Sequence, residues 1–96
     1  MYAVLGTWLT DPGQHEAQDQ ALYGQIVPMV RQAPGFVSAY WGRDLTGSTA
    51  VSFVVFDDQA NAEAFVAMVN TDPVDRGAEG VEPSGQLTIV EIAATA

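Results

Sequence analysis

The chemistry open to this chain is bounded first by the residues it lacks. It has no Cys and a single His in 96 residues. Thiol nucleophiles, disulfides and thiolate metal sites are therefore excluded together. His15 could act as a general base or as a lone metal ligand. It stands between Gln14 and Glu16 at the polar start of a helical stretch, where a solvated helix end is the plainer reading. A transition-metal site would otherwise have to be built from carboxylates. The residues imply neither metal nor cofactor. No Ser-His-Asp set, phosphate loop or paired-acid motif is present, so no catalytic residue is assigned.

Aromatic and basic residues offer more. Trp8 and Trp41 could stack a planar molecule in a cleft. Period-two alternation puts Trp41 and Arg43 on one face of a strand and Tyr40 on the other. Arg43, in an apolar strand, should seek an anion, solvent, or a carboxylate such as Glu91 or Asp44. Tyr23 could face a cavity and hydrogen-bond a phenol or quinone, or rest at the edge of the core. Trp8, Tyr23, Trp41 and Arg43 are thus the candidate ligand-binding residues. Core or interface packing of Trp41 is the competing reading. Glu91 is an unusual carboxylate within an apolar strand; it is either paired with an Arg or marks a pocket or interface edge. Gly6 and Gly42 lack side chains inside strands, which leaves room for a bulge, a ligand or a close backbone.

The elements that must position these residues follow from hydrophobic spacing. Residues 2–9 are rich in β-formers and read as a strand. Thr10-Asp11-Pro12-Gly13 is a turn that can cap the helix after it. From about Gln14 to Gln32, Leu22, Ile26, Met29 and Val30 fall at helical spacing. Pro28 removes a hydrogen bond there and crowds the Gly24 carbonyl, which predicts one bent helix. Pro34-Gly35 ends it. Strands are expected over Phe36–Arg43 and Thr49–Phe56, joined by the turn-forming Asp44-Leu45-Thr46-Gly47-Ser48. Asp57-Asp58 caps a helix from Gln59 to about Asn70 with Phe65, Met68 and Val69 on one stripe. Thr71 to Gly85 reads as a long irregular loop, and Gln86 to Ala93 as the last strand.

The order β-α-β-β-α-β is the ferredoxin-like, α+β arrangement: a four-stranded antiparallel sheet with both helices on one face. The third strand sets Val51, Phe53 and Val55 against Ala50, Ser52, Val54 and Phe56, so neither face is properly polar. A sheet with one wet side would show clean alternation. Two helices cover one side only, and a second copy in a two-fold homodimer is the simplest cover for the other.

Ninety-six residues make one domain, 1–96, which buries roughly 60–65% of its unfolded surface. Twelve acids oppose three bases, all of them Arg, for a formal charge of −9. That balance disfavours nucleic acid and anionic membranes. It reads as a solvated acidic surface, with adaptation to high salt as an alternative. No run is long enough to span a membrane, and the N-terminus lacks a signal peptide's basic flank. The expected location is the cytoplasm.

Three blocks carry a family resemblance: Pro34-Gly35-Phe36-Val37-Ser38 after a helix, Trp41-Gly42-Arg43-Asp44, and Ser52-Phe53-Val54-Val55-Phe56-Asp57-Asp58 running into a helix with Ala64-Phe65. With them, nearly the whole chain resembles the antibiotic biosynthesis monooxygenase-like family of the dimeric α+β-barrel superfamily. The resemblance implies a homodimer with a shared barrel and a ligand cavity between sheet and helices in each subunit. Members oxidise polycyclic aromatic compounds with O2 and no metal or flavin, degrade haem, isomerise small lactones, or have no known activity. The haem-degrading branch has Asn on the first strand and His on the second helix. Here both are missing, which argues against haem degradation. The resemblance thus implies a cofactor-independent monooxygenase-like protein for a small planar aromatic or apolar compound. A non-catalytic ligand-binding or regulatory dimer of the same fold is the alternative. A lactone isomerase would need His15 or Glu91 inside the pocket as a base.

Overall fold

The computed structural model describes residues 1–71 and 86–96, and three of its strands begin and end where the β-branched and aromatic runs do. These are β1 (Tyr2–Leu9), β2 (Phe36–Arg43) and β3 (Thr49–Phe56), followed later by β4 (Gln86–Glu91). They form one antiparallel sheet in the order β2-β3-β1-β4. That order, with two helical segments packed on one face, is the ferredoxin-like arrangement expected from the sequence. The last strand stops two residues earlier than expected. Glu91 lies opposite Tyr2, the first residue of β1, so the ladder has no further partner residue to pair with. Instead the Ile92 N–H donates to the Met1 carbonyl at 2.9 Å.

The first helical segment departs from a simple bent helix. A short 3-10 turn (Pro12–Gln14) leads into α1 (His15–Ala21), a π-helical turn (Leu22–Ile26) and α2 (Val27–Arg31). Asp11 starts it by accepting the Gly13 N–H on Oδ1 at 2.8 Å. The Val27 N–H reaches the Leu22 carbonyl, five residues back. Pro28 has no N–H to continue an α-helical ladder, and the widened π turn before it absorbs the mismatch. Both proline and Gly24 were legible as a site of distortion; its form, an inserted residue rather than a kink, was not.

Asp58 caps α3 (Gln59–Thr71) by accepting the Asn61 N–H at 2.8 Å, the expected role for a carboxylate at that place. The irregular stretch expected from Thr71 to Gly85 lies, beyond Thr71 itself, outside the described residues. Val4, Val54 and Phe56 on the sheet meet Ile26 and Val30 from the first helical segment and Ala62 and Phe65 from α3. Phe56 is fully buried, and its ring lies 5.1 Å from that of Phe65. The registers fix which residues face away from these helices. Tyr40, Phe53, Leu5 and Thr88 form one row across all four strands, and Ser38, Val55, Ala3 and Val90 form the next. On this face Ala3 and Val55 are buried, whereas Tyr40 and Val51 remain 68% and 46% exposed. No element among the described residues lies over them.

His15 has a structural task. Its Nε2 donates to the Gly47 carbonyl at 3.2 Å, and the Thr10 hydroxyl donates to the same oxygen at 2.8 Å. Gly47 has φ +77°, and a Cβ there would sit 2.5 Å from the imidazole. The imidazole therefore pins the start of α1 onto the β2–β3 turn, in the space that glycine leaves. The turn itself is held by Asp44, whose carboxylate accepts the Thr46 hydroxyl at 2.6 Å and the Thr49 N–H at 3.1 Å. The Thr46 hydroxyl, and after it the Thr49 N–H, holds the Asp44 carboxyl below its ordinary pKa.

Candidate functional site

One cavity of about 190 Å³ lies between the first helical segment and the end of the sheet where β2 and β3 turn. Its lining follows from two rows of register-matched residues on the helix-facing side. In one row Gly6, Ser52 and Trp41 lie across β1, β3 and β2; in the next, Trp8, Ala50 and Arg43 do the same. The second row sets the small Ala50 of β3 between two larger neighbours. The space above Ala50 becomes the floor, flanked by indole on one side and guanidinium on the other. The opposite wall comes from Gln18, Asp19, Leu22 and Tyr23. Spacings of four residues put Gln18 with Leu22, and Asp19 with Tyr23, on one side of the helical segment.

Gly6 has a specific reason to be glycine. The Trp8 ring folds back along its own strand, so that a Cβ at position 6 would lie 2.4 Å from Trp8 Cη2. A contact that close cannot be accommodated without moving the ring. Gly6→Ala is expected to push the indole into the cavity and shift the tryptophan emission spectrum, with the fold retained by circular dichroism. An unchanged spectrum would mean that the ring does not rest on Gly6.

All four candidate ligand-binding residues, Trp8, Tyr23, Trp41 and Arg43, line this one cavity. Tyr23 stands at the rim, 76% exposed. Other sequence expectations are corrected. Arg43 pairs with neither Glu91 nor Asp44; its Nη2 donates to Asp19 Oδ1. Asp44 is engaged by its own turn, and Glu91 is exposed at the end of β4. Neither His15 nor Glu91 lines the cavity, so the base a lactone isomerase would need from them is not there. Gly42 forms no bulge but lines the cavity, which agrees with the other reading of a glycine there, room for a ligand.

The sequence reading missed Asp19, Gln18 and Thr10. Asp19 sits four residues before Tyr23, and that spacing alone could have flagged it. Thr10 and Gln18 are 8% and 4% exposed, and Gln18 Nε2 donates to the Asp11 carbonyl at 3.1 Å. The Asp19–Arg43 pair is partly exposed, with side-chain exposures of 45% and 30%. It contributes at most about 1 kcal/mol to stability. Indole and aliphatic carbon thus share the walls almost equally with polar groups, namely Thr10, Gln18, Tyr23 and the Asp19–Arg43 pair. Such a site can hold a flat apolar molecule and direct one polar group of it at a guanidinium. Among the described residues no three His, Cys, Asp or Glu side chains gather as metal ligands, and no helix is long and apolar enough to cross a membrane.

A family model described as antibiotic biosynthesis monooxygenase matches residues 1–78. No curated protein sequence matches significantly. Among solved structures, the Streptomyces coelicolor monooxygenase from ActVA-Orf6, in complex with nanaomycin D, is similar with a TM-score of 0.74 at 15% identity, covering 99% of this chain and 89% of that one. An antibiotic biosynthesis monooxygenase-type protein of Deinococcus radiodurans gives a TM-score of 0.76 at 17% identity, covering 100% and 96%. The Mycobacterium tuberculosis haem degrader MhuD, with two haems bound, gives 0.74 at 11%, covering 100% and 99%. At these identities the likeness is one of fold.

Proposed function

The chain belongs to the antibiotic biosynthesis monooxygenase family, and on that premise we propose that it binds a small planar, mostly apolar organic compound in the cavity between sheet and helix. The observation that supports this reading is the convergence of Trp8, Trp41 and Arg43 around the small Ala50. The cavity is smaller than the roughly 300 Å³ typical of drug-sized ligands, so the proposed compound carries one or two fused rings. Any oxidation proceeds without a resident cofactor. The deprotonated substrate gives an electron to O2, while the protein supplies shape, exclusion of water and hydrogen bonds to the oxyanion. Arg43 and Tyr23 are the residues proposed to make those bonds.

Turnover of a benzo- or naphthohydroquinone under air tests this. Arg43→Ala is expected to lower kcat/KM about a hundredfold, as loss of one oxyanion donor does. Trp41→Phe should act mainly on KM. Unchanged rates in both variants would clear these residues of a role. The small volume, with its one carboxylate already paired, favours a second reading: a ligand-binding or regulatory protein without catalysis. Saturable binding with no oxygen consumption would select it. Haem is not proposed as substrate, since β1 carries no Asn and α3 no His.

The proposed molecule is a two-fold homodimer, with the sheet face carrying Leu5, Tyr40, Val51 and Phe53 packed against its copy. The exposed Tyr40 and Val51 on that face support it.

A further inference from the structure

Given the aromatic cavity proposed above, on which this inference rests, we propose that Asp19 occupies the binding place of a ligand's own anionic group. The ligand is then a flat aromatic acid or enolate whose negative oxygen displaces Asp19 from Arg43. Four observations lead there. Among the described residues lining the cavity, Arg43 is the only cation and Asp19 the only acid. They are bonded to one another, with Trp8 across Ala50 from Arg43 and Trp41 two residues before Arg43 on the same face of β2. Among the described residues the guanidinium meets this carboxylate through Nη2 alone, so a fork able to take a carboxylate through two parallel bonds is only partly used. Both side chains are partly open to solvent, so Asp19 can swing into water and keep its charge hydrated when a second anion arrives.

The exchange is carboxylate for carboxylate at one guanidinium, and it makes Asp19 an internal competitor. It sets a threshold: a neutral aromatic ring fills the cavity without touching the pair, whereas an anion must outcompete a tethered one. The formal charge of −9 works in the same direction, since an anion approaches against the field of the whole molecule. Selection of the anionic ligand then rests on the local geometry of Arg43 rather than on long-range attraction.

Isothermal titration of the full chain with 2-naphthoate and with its uncharged isostere 2-naphthamide tests this. Asp19→Asn is expected to tighten 2-naphthoate about three- to fivefold, the worth of a partly exposed ion pair, and to leave 2-naphthamide unchanged. Arg43→Gln is expected to weaken 2-naphthoate about tenfold to a hundredfold, again sparing 2-naphthamide; Arg43→Lys, which keeps the charge and loses the fork, should fall between. Equal responses of the two ligands in every variant would overturn the inference while leaving the cavity reading standing. So would weaker 2-naphthoate binding in Asp19→Asn. If neither compound binds the native protein, the cavity reading fails and this inference fails with it. Unchanged circular dichroism in each variant separates these results from unfolding.

Discussion

Replacing Phe56 by Ala is expected to cost about 3–5 kcal/mol of stability, the range for deleting a buried aromatic ring from a core. Phe56 is 0% exposed and stands where the two helical segments and the sheet meet. Its ring tilts against Phe65 at 5.1 Å, a pairing that adds to simple burial. It also lies opposite Tyr2 on β1 and Phe36 on β2, so three strands and α3 would line the void. A domain of this size has a total stability of about 5–15 kcal/mol. The variant should therefore melt more than about 10 °C lower by circular dichroism, and the least stable outcome is a chain that does not fold. A shift of only a few degrees would show that the core can collapse around the gap, and that Phe56 is less central than its burial indicates.

The second large effect concerns the sheet face that carries no helix. Phe53 sits in the middle of that face, between Leu5 and Tyr40 in register. If a second copy covers it, Phe53→Arg places an unpaired charge at the centre of an apolar contact. Losses at central interface positions run to about 2–4 kcal/mol or more, which raises the dimer dissociation constant by roughly thirty- to a thousandfold. Sedimentation at micromolar concentration should find a dimer in the native protein and a monomer in the variant. The single-chain fold does not depend on Phe53 for its helix-facing core, so circular dichroism should remain native. A native protein that sediments as a monomer at those concentrations would remove the dimer and the shared barrel with it.

The contrast between what was and was not legible in the sequence has physical causes. β1, β2 and β3 could be read to the residue because runs of Val, Phe, Tyr and Trp end in strong turn formers such as Asp44 and Gly47, and strand limits follow composition there. β4 was overestimated because Ala93 and Ile92 still look like strand, whereas its length is set by β1, its partner. The π turn was not legible because no residue type in Leu22–Ile26 specifies it, and the missing N–H of Pro28 marks a distortion without fixing its form. For the site, Trp8, Trp41 and Arg43 were recoverable from strand alternation, which fixes a face. The partner of Arg43 was not, because it comes from a different element, and the pairing of strand with helix is a tertiary choice. Asp19 therefore escaped, although its charge and its spacing from Tyr23 were in view.

The central claim is that both tryptophans of the chain share one wall-to-wall site for a flat molecule. The protein has two Trp residues, and both line the cavity, so its tryptophan emission, excited beyond the tyrosine band, reports on that site. With no Lys and no Cys, a quinone has few side chains to react with covalently. Titration with 1,4-naphthoquinone, corrected for absorbance, should quench the emission along a saturating curve. Trp8→Phe and Trp41→Phe should each retain part of the quenching, and Gly6→Ala should weaken the binding. A quenching curve that stays linear with concentration and is the same in the native protein and Gly6→Ala would contradict the account, because it would describe random collisions with exposed indoles.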